Sequence, residues 1–183
     1  CGLLRNRLKY PGELCAKEAP SMITPFALQN LAEIMKLMEE TELLIAALYE
    51  TCADIWEKDR KFWIETAAEE KKHAKNIEKM ARIIASRPEQ FVLGRPFNMT
   101  ALKTIRTGLE KEMVRVQNGR ITREQMLYLA RDVEASLIEK SYSEIVKTQN
   151  LEYLSLVKDI VTETARHKKN LDERIAQVKA GLI

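Results

Sequence analysis

Residues that interrupt helices are scarce in this chain, which has only six glycines and five prolines among its 183 residues. Apart from the flanking Pro25 and Pro88, the stretch 25–88 contains neither residue type, and the stretch 121–180 contains none at all. Gly and Pro are the residues that most often mark the end of a helix. Two stretches of this length without them predict long helical hairpins, and therefore an all-α fold.

The chain also lacks a strong charge of one sign and a long apolar run. Its 30 Lys and Arg nearly balance 27 Asp and Glu, and the net charge of +3 is evenly spread, so we expect no nucleic-acid partner. No apolar run approaches the roughly 20 residues of a membrane-spanning helix, so we expect no membrane span. With 45% hydrophobic and 31% charged residues, the composition is that of an ordinary globular domain.

Residues 1–23 resemble neither helical stretch, because they contain two prolines, two glycines and two cysteines. We interpret them as an N-terminal arm that precedes a single domain over residues 24–183. The chain begins at Cys1 rather than at a methionine, and two interpretations stay open. Either the start is missing, or Cys1 is the acylated first residue of a mature bacterial lipoprotein, for which no signal peptide is present as support.

Capping signals divide the first stretch into two helices. Thr24 followed by proline predicts the start of helix one, which we expect over about 24–56. A tight turn follows, with Asp59 as the candidate N-cap of helix two. That helix is expected to end near Ser86, just before the next proline.

Residues 87–121 are interpreted as a crossover between two hairpins. An irregular segment leads to a shorter helix over about 99–117, with Asn98 as its cap. Helix three is expected to begin at a capping box formed by Thr122 and Gln125 and to continue to a turn just before helix four. The candidate N-cap of helix four is Asn150.

Helix one carries one acid on an otherwise apolar face, in a row of residues spaced four and three apart. The members of this row are Leu31, Met35, Met38, Glu42, Ile45, Tyr49, Cys52 and Trp56. A buried, unpaired carboxylate costs several kcal/mol, and no Lys or Arg lies on the faces predicted to be buried. Glu42 is therefore a candidate metal ligand, whereas Cys52 is expected to be a small buried apolar residue.

Helix two places Glu70 and His73 on one face, three residues apart. A carboxylate and an imidazole at this spacing can hold one metal ion, although E-x-x-H alone is weak evidence because helical proteins often contain it. Two acids directed at one core need a cation between them, a proton on one of them, or water. A metal ion is the simplest of these answers, so both residues are candidate ligands.

The second stretch repeats the arrangement, with Glu134 on the apolar face of helix three and His167 on that of helix four. Glu42 precedes His73 by 31 residues, and Glu134 precedes His167 by 33. The residues after the two histidines also correspond, as His-Ala-Lys-Asn-Ile-Glu and His-Lys-Lys-Asn-Leu-Asp. This pattern indicates an internal duplication of a helical hairpin and adds Glu134 and His167 to the candidate ligands.

Two hairpins with this Glu, Tyr and E-x-x-H pattern resemble the ferritin-like di-iron carboxylate proteins, and most closely their rubrerythrin branch. The segment TAAEEKKHA of helix two is similar to the signature of that branch, and the resemblance covers about residues 26–180. It implies a ferritin-like four-helix bundle made of two duplicated hairpins with a long, helix-containing crossover. It also implies one or two bound iron ions, with manganese or zinc as alternatives.

The resemblance gives roles to further residues. It implies that Tyr49 and Tyr142 hydrogen-bond the ligand carboxylates from outside the ligand set. It also implies a glutamate where this chain has Thr164, and a further carboxylate where it has Leu137. Glu163 is adjacent, but one residue along a regular helix turns the side chain about 100° away, so it could replace that glutamate only if helix four were locally overwound or bulged.

The missing glutamate leaves the role of His167 open. It is either a metal ligand or a core histidine that is bonded to the hydroxyl of Thr164.

The implied function is an oxidoreductase that oxidises Fe(II) or reduces peroxide, with an unidentified electron donor and no assigned catalytic residue. Because the three cysteines form no C-x-x-C pair, the rubredoxin-type iron centre of full-length rubrerythrins is excluded. The alternative is a degenerate helical bundle with a vestigial or single-metal site that acts as a structural or interaction module. Analogy also implies a homodimer and a cytoplasmic location in a bacterium or archaeon.

Overall fold

The computed structural model describes residues 23–95, 98–135, 142 and 144–182, which are mostly helical. The elements in these ranges are α1 (Pro25–Ile55), α2 (Arg60–Ser86), β1 (Phe91–Leu93), α3 (Met99–Gln117), α4 (Arg123–Glu134), β2 (Val146–Thr148) and α5 (Leu151–Lys179). The predicted all-α class is confirmed. The predicted N-terminal arm, including Cys1, lies outside the described residues except for its last position. In the described part of the chain, no helix has both the length and the apolarity needed to cross a membrane.

The predicted helix starts are confirmed by side-chain caps. In the first turn of each helix, the Thr24 hydroxyl accepts a hydrogen bond from the N–H of Ala27 in α1. The Asn98 side chain accepts from two N–H groups of α3, and the Asn150 side chain accepts from the N–H of Tyr153 in α5. Thr122 and Gln125 form the predicted reciprocal capping box at the start of α4. These caps satisfy N–H groups that have no acceptor within the helix, which fixes where each helix begins.

Asp59 is the N-cap residue of α2, as predicted, but its side chain has a different role from a cap. Asp59 directly precedes α2, but its side chain makes no capping hydrogen bond. Its carboxylate instead accepts hydrogen bonds from Arg123 of α4 and Arg174 of α5. The buried carboxylate therefore joins the turn between α1 and α2 to both helices of the second half of the chain.

The predicted length of helix three, which corresponds to α4, is wrong. α4 ends at Glu134, twelve residues after it begins, and residues 146–148 form a strand rather than the end of a helix. This strand pairs antiparallel with β1 in the crossover, at the segment that was predicted to be irregular. Val and Thr favour extended backbone because they branch at Cβ, and pairing satisfies backbone groups that a helix would otherwise have satisfied.

Gly94 allows the two strands to approach closely beyond β1. Its N–H donates to the carbonyl of Ile145 at 2.9 Å, and a Cβ at position 94 would lie 1.9 Å from the Glu144 carbonyl oxygen. No residue with a side chain fits there without displacing backbone. The crossover is therefore fastened to the segment that precedes α5.

The apolar core consists of two clusters with a polar layer between them. One cluster is centred on Met38, Ile77, Met80, Tyr153 and Ile160, and the other on Tyr49, Cys52, Trp63, Leu127 and Leu171. Cys52 is fully buried, as predicted, and burial raises the pKa of its thiol to about 12. The buried acids and histidines of α1, α2 and α5 lie between these clusters along each helix, and Glu134 is the last residue of α4.

Candidate metal centre

The structure brings all five predicted ligand residues together. α1 supplies Glu42, α2 supplies Glu70 and His73, α4 supplies Glu134 and α5 supplies His167. Each side chain is buried, with at most 3% of the residue surface exposed. Ligand atoms lie within 4.8 Å of one another in two overlapping groups, which are Glu42–Glu70–His73 and Glu70–Glu134–His167. Glu70 belongs to both groups, so the cluster has a shared central carboxylate.

Both imidazoles direct Nδ1 toward this central carboxylate. His73 Nδ1 lies 2.9 Å from Glu70 Oε2, and His167 Nδ1 lies 2.8 Å from Glu70 Oε1. The two rings are 5.7 Å apart between centroids. His167 Nδ1 is also 3.5 Å from Glu134 Oε2, so the histidines face inward from opposite helices.

The outer nitrogens of the two histidines are held by a reciprocal pair of carboxylates. His73 Nε2 on α2 lies 3.1 Å from Glu163 Oε2 on α5, and His167 Nε2 on α5 contacts Glu69 on α2. Each carboxylate orients a ring that belongs to the other half of the chain, and so fixes which ring nitrogen faces the cluster.

Both carboxylates of this pair are themselves paired with exposed basic residues. Arg166 Nη2 donates to Glu69 Oε1 at 2.6 Å, and Lys72 donates to Glu163. The shell around the two imidazoles therefore extends from the buried cluster to the protein surface.

Two contacts were not predicted from the sequence, namely that of Glu69 with His167 and that of Glu163 with His73. A signal was present, because Glu69-Glu70-x-x-His73 aligns with Glu163-Thr164-x-x-His167. In this alignment Glu163 corresponds to Glu69 and not to Glu70. Position 163 thus supplies an outer carboxylate from a continuous α5, and no helix bulge is needed for it to reach its partner.

The two tyrosines also act across the halves of the chain. Tyr49 on α1 donates its hydroxyl to Glu134 Oε1 at 2.9 Å, and Tyr142 donates to Glu42 Oε1. Both tyrosines are fully buried, so these hydrogen bonds satisfy one oxygen of each peripheral carboxylate without water.

Of the two alternatives left open for His167, the hydrogen bond to the Thr164 hydroxyl is not formed. The Thr164 hydroxyl is buried and has no hydrogen-bond partner among the described residues, and the His167 ring nitrogens instead face Glu69, Glu70 and Glu134. Leu137, the other position with a missing carboxylate, lies outside the described residues.

Several polar atoms of the cluster remain without a well-directed hydrogen bond in the described part of the chain. They are Glu42 Oε2, Glu70 Oε1, Glu134 Oε2 and His167 Nδ1. The short separation of Glu70 Oε1 from His167 Nδ1 therefore reflects charge attraction with poor direction. Leaving such buried groups unsatisfied is costly. One atom from each of four residues is thus available to a cation, and this donor set fits a metal ion.

The three carboxyl groups of the cluster differ in pKa. Burial, reinforced by the charge of Glu70, raises the pKa of Glu42 well above its usual range. The same two causes raise the pKa of Glu134 to about 7. Burial acts in that direction on Glu70 too, but the adjacent imidazoles of His167 and His73 outweigh it and lower its pKa to about 2. The central carboxylate is therefore ionised, whereas the peripheral ones bind a proton readily when no cation is near.

No family model, curated protein or solved structure matches this chain. The geometry and chemistry of the cluster are therefore the basis on which a function can be inferred.

Proposed function

We propose that this protein is a ferritin-like four-helix bundle, related to the rubrerythrin branch, whose buried cluster binds one or two iron ions. One observation carries the proposal. Five acids and histidines from four helices converge in an apolar interior, with unsatisfied atoms directed at one another. Buried charges in proteins are paired or coordinate metals, and no Lys or Arg of the described chain lies inside this cluster.

The composition of the donor set favours iron or manganese. Three carboxylates and two imidazoles combine oxygen and nitrogen donors, and no described cysteine lies in the cluster, although thiolates are the donors that favour zinc and copper(I). Zinc remains an alternative, because imidazole and carboxylate also bind it. The two groups share Glu70, and each adds one further glutamate and one histidine, which supports two adjacent positions with three protein ligands each.

The position formed by Glu70, Glu134 and His167 has fewer donors than the family resemblance implies. Thr164 stands where a second shared carboxylate is expected, and its hydroxyl is neutral and has no partner in the described structure. A site with less negative charge binds a cation less tightly. We therefore expect the first ion to bind more tightly than the second.

Bound iron would supply one-electron redox chemistry toward oxygen or peroxide. The protein contributes orientation and exclusion of water. Glu69 and Glu163 fix the two imidazoles, and the tyrosine hydroxyls hold one oxygen of each peripheral carboxylate, which leaves the other oxygen for the ion. We propose Fe(II) oxidation or peroxide reduction as the activity, with a separate electron donor and a homodimer as further parts of the proposal.

Anaerobic loading with Fe(II) tests the proposal. We expect one or two irons per chain after removal of free metal, and Fe(II) oxidation faster than in buffer. The Glu70→Gln variant should bind no iron, because the shared ligand loses its charge in both positions. Glu78→Gln is the matched control, since Glu78 is an exposed acid of the same helix that pairs only weakly with Arg82 at 3.6 Å.

The second candidate function is a structural or interaction module with a vestigial site, and Thr164 is the observation that favours it. A wild-type chain that holds no iron and unfolds at the same temperature with and without chelator would contradict the metal proposal and support this alternative. Circular dichroism of the Glu70→Gln variant shows whether the loss of iron reflects the ligand or the fold.

A further inference from the structure

We propose that a cavity between α1, α3 and α4 binds a small, neutral, largely apolar molecule beside the carboxylate cluster. The cavity has a volume of about 340 Å³, which is within the range of small-molecule sites in proteins. Binding to the cavity does not depend on metal. The molecule it would hold is neither Fe(II) nor peroxide, so it is a ligand beyond those of the function proposed above.

The walls of the cavity are apolar, and its inner end reaches the candidate metal centre. The apolar wall residues are Ile45, Ile105, Leu109, Leu129 and Val133. Two polar residues of α1 also line it. The Thr41 hydroxyl already donates to the Leu37 carbonyl at 2.7 Å, whereas Glu42 is 1% exposed and its Oε2 has no hydrogen-bond partner among the described residues. A molecule in this cavity would thus contact a residue of the cluster.

Gly108 lines the cavity on the α3 side, at a position that is exposed to solvent. It lies in the interior of a helix of 19 residues, where glycine costs about 1 kcal/mol relative to alanine. Close packing does not require a glycine there, because a Cβ at position 108 would meet no other atom within 4 Å. The absence of a side chain at Gly108 therefore leaves open space at the cavity wall and relieves no clash.

The lining determines which molecules fit. The two acids at the exposed edge, Glu112 and Asp132, pair with Arg115 and Arg131, so the edge attracts neither sign of charge strongly and favours a neutral molecule. An apolar cavity of roughly 150 Å³ already holds benzene. The larger volume here fits an aromatic molecule of two or three rings, or a short alkyl chain.

The test is a fluorescence titration of the metal-free, full-length protein with 1-aminoanthracene, a neutral three-ring probe. We expect saturable binding to the wild type and at least tenfold weaker binding to Gly108→Leu, whose side chain extends into the cavity. Thr107→Leu is the matched control, because Thr107 is exposed on the same helix and does not line the cavity. Its affinity should stay within twofold of the wild type.

Two results would overturn the proposal. They are no saturable binding to the wild type, and equal binding to Gly108→Leu and the wild type. Thermal unfolding separates occlusion from misfolding, since Gly108→Leu should unfold at the same or a higher temperature. Because the titration uses metal-free protein, its failure leaves the iron proposal intact, and failed iron loading leaves the cavity result intact.

Discussion

The two halves of the cluster share an outer shell but differ in their inner donors. In the first half, two long helices supply Glu42, Glu70 and His73. In the second, a short α4 and the long α5 supply Glu134 and His167. The outer contacts of the two halves nevertheless correspond, since each contributes one tyrosine and one carboxylate that hold residues of the other. The two halves of the chain therefore form a symmetric shell around an asymmetric set of acids and histidines.

The exchange of contacts also shows that neither half is complete alone. The carboxylate that orients His73 is on α5, and the one that orients His167 is on α2. A hairpin separated from its partner would lose the outer contact of its own histidine. The cluster thus forms only when the helices of both halves are packed together.

Thr164→Glu would remove the difference between the halves, and we expect the largest effect from it. Without metal, a further buried carboxylate next to Glu70 should destabilise the protein by several kcal/mol. With Fe(II), that loss should be recovered and the second ion should bind more tightly. Thermal unfolding with and without Fe(II) measures both effects.

Thr164→Val is the control for this prediction. Because the Thr164 hydroxyl has no partner in the described structure, this variant should be within about 1 kcal/mol of the wild type or more stable. If Thr164→Glu were as stable as the wild type without metal, position 164 would not face the cluster.

Asp59→Asn tests how the two halves are fastened together away from the cluster. Asp59 is fully buried and paired with two partly exposed arginines of the second half, so we expect a loss of about 3 kcal/mol in the free energy of unfolding. Asp54→Asn is the control, because Asp54 is an exposed acid in the last turn of α1 that lies 3.4 Å from Arg60. Urea unfolding near neutral pH measures both variants.

The same ion pairs predict a pH dependence. Burial alone would raise the pKa of Asp59, but hydrogen bonds and charge from Arg123 and Arg174 lower it below its usual value. A group whose pKa is lower in the folded state stabilises the protein above its unfolded pKa, about 3.9 for Asp, and this contribution is lost as the pH falls below that value. The wild type should therefore lose more stability than Asp59→Asn between pH 5 and 3. Parallel losses in the two proteins would contradict this assignment.

Glu69→Gln and Glu163→Gln each change the outer carboxylate of one half, and we expect the smallest effect from them. Each variant removes the charge that orients one imidazole, and we expect a loss of metal affinity of about tenfold to 100-fold. Glu163→Gln should weaken the position that contains His73, although residue 163 is on α5. Titration with Co(II), whose visible spectrum reports its ligands, distinguishes the two positions. Equal affinity of both variants and the wild type would mean that these carboxylates do not position the ligands.

Local patterns in the sequence predicted the helices well because their causes are local. The caps at Thr24, Asn98 and Asn150 depend on residues within three positions, and each was found where it was predicted. The buried faces followed from helical periodicity, which brought Glu42 and Glu70 to the interior. The outer carboxylates were missed because Glu69 and His167 are 98 residues apart, and no local pattern states which helices pack side by side.

The sequence by itself determined the all-α class, the starts of the helices and the five inward-facing acids and histidines, because spacing along one helix decides which side chains share a face. Only the tertiary structure decided that α4 ends at Glu134, that β1 pairs with β2, and that each histidine is oriented by the opposite half. The Asp59 carboxylate likewise accepts hydrogen bonds from two arginines of distant helices and none from the local N–H groups of α2. Those features depend on contacts between distant segments, whose free energy exists only when the helices are packed together.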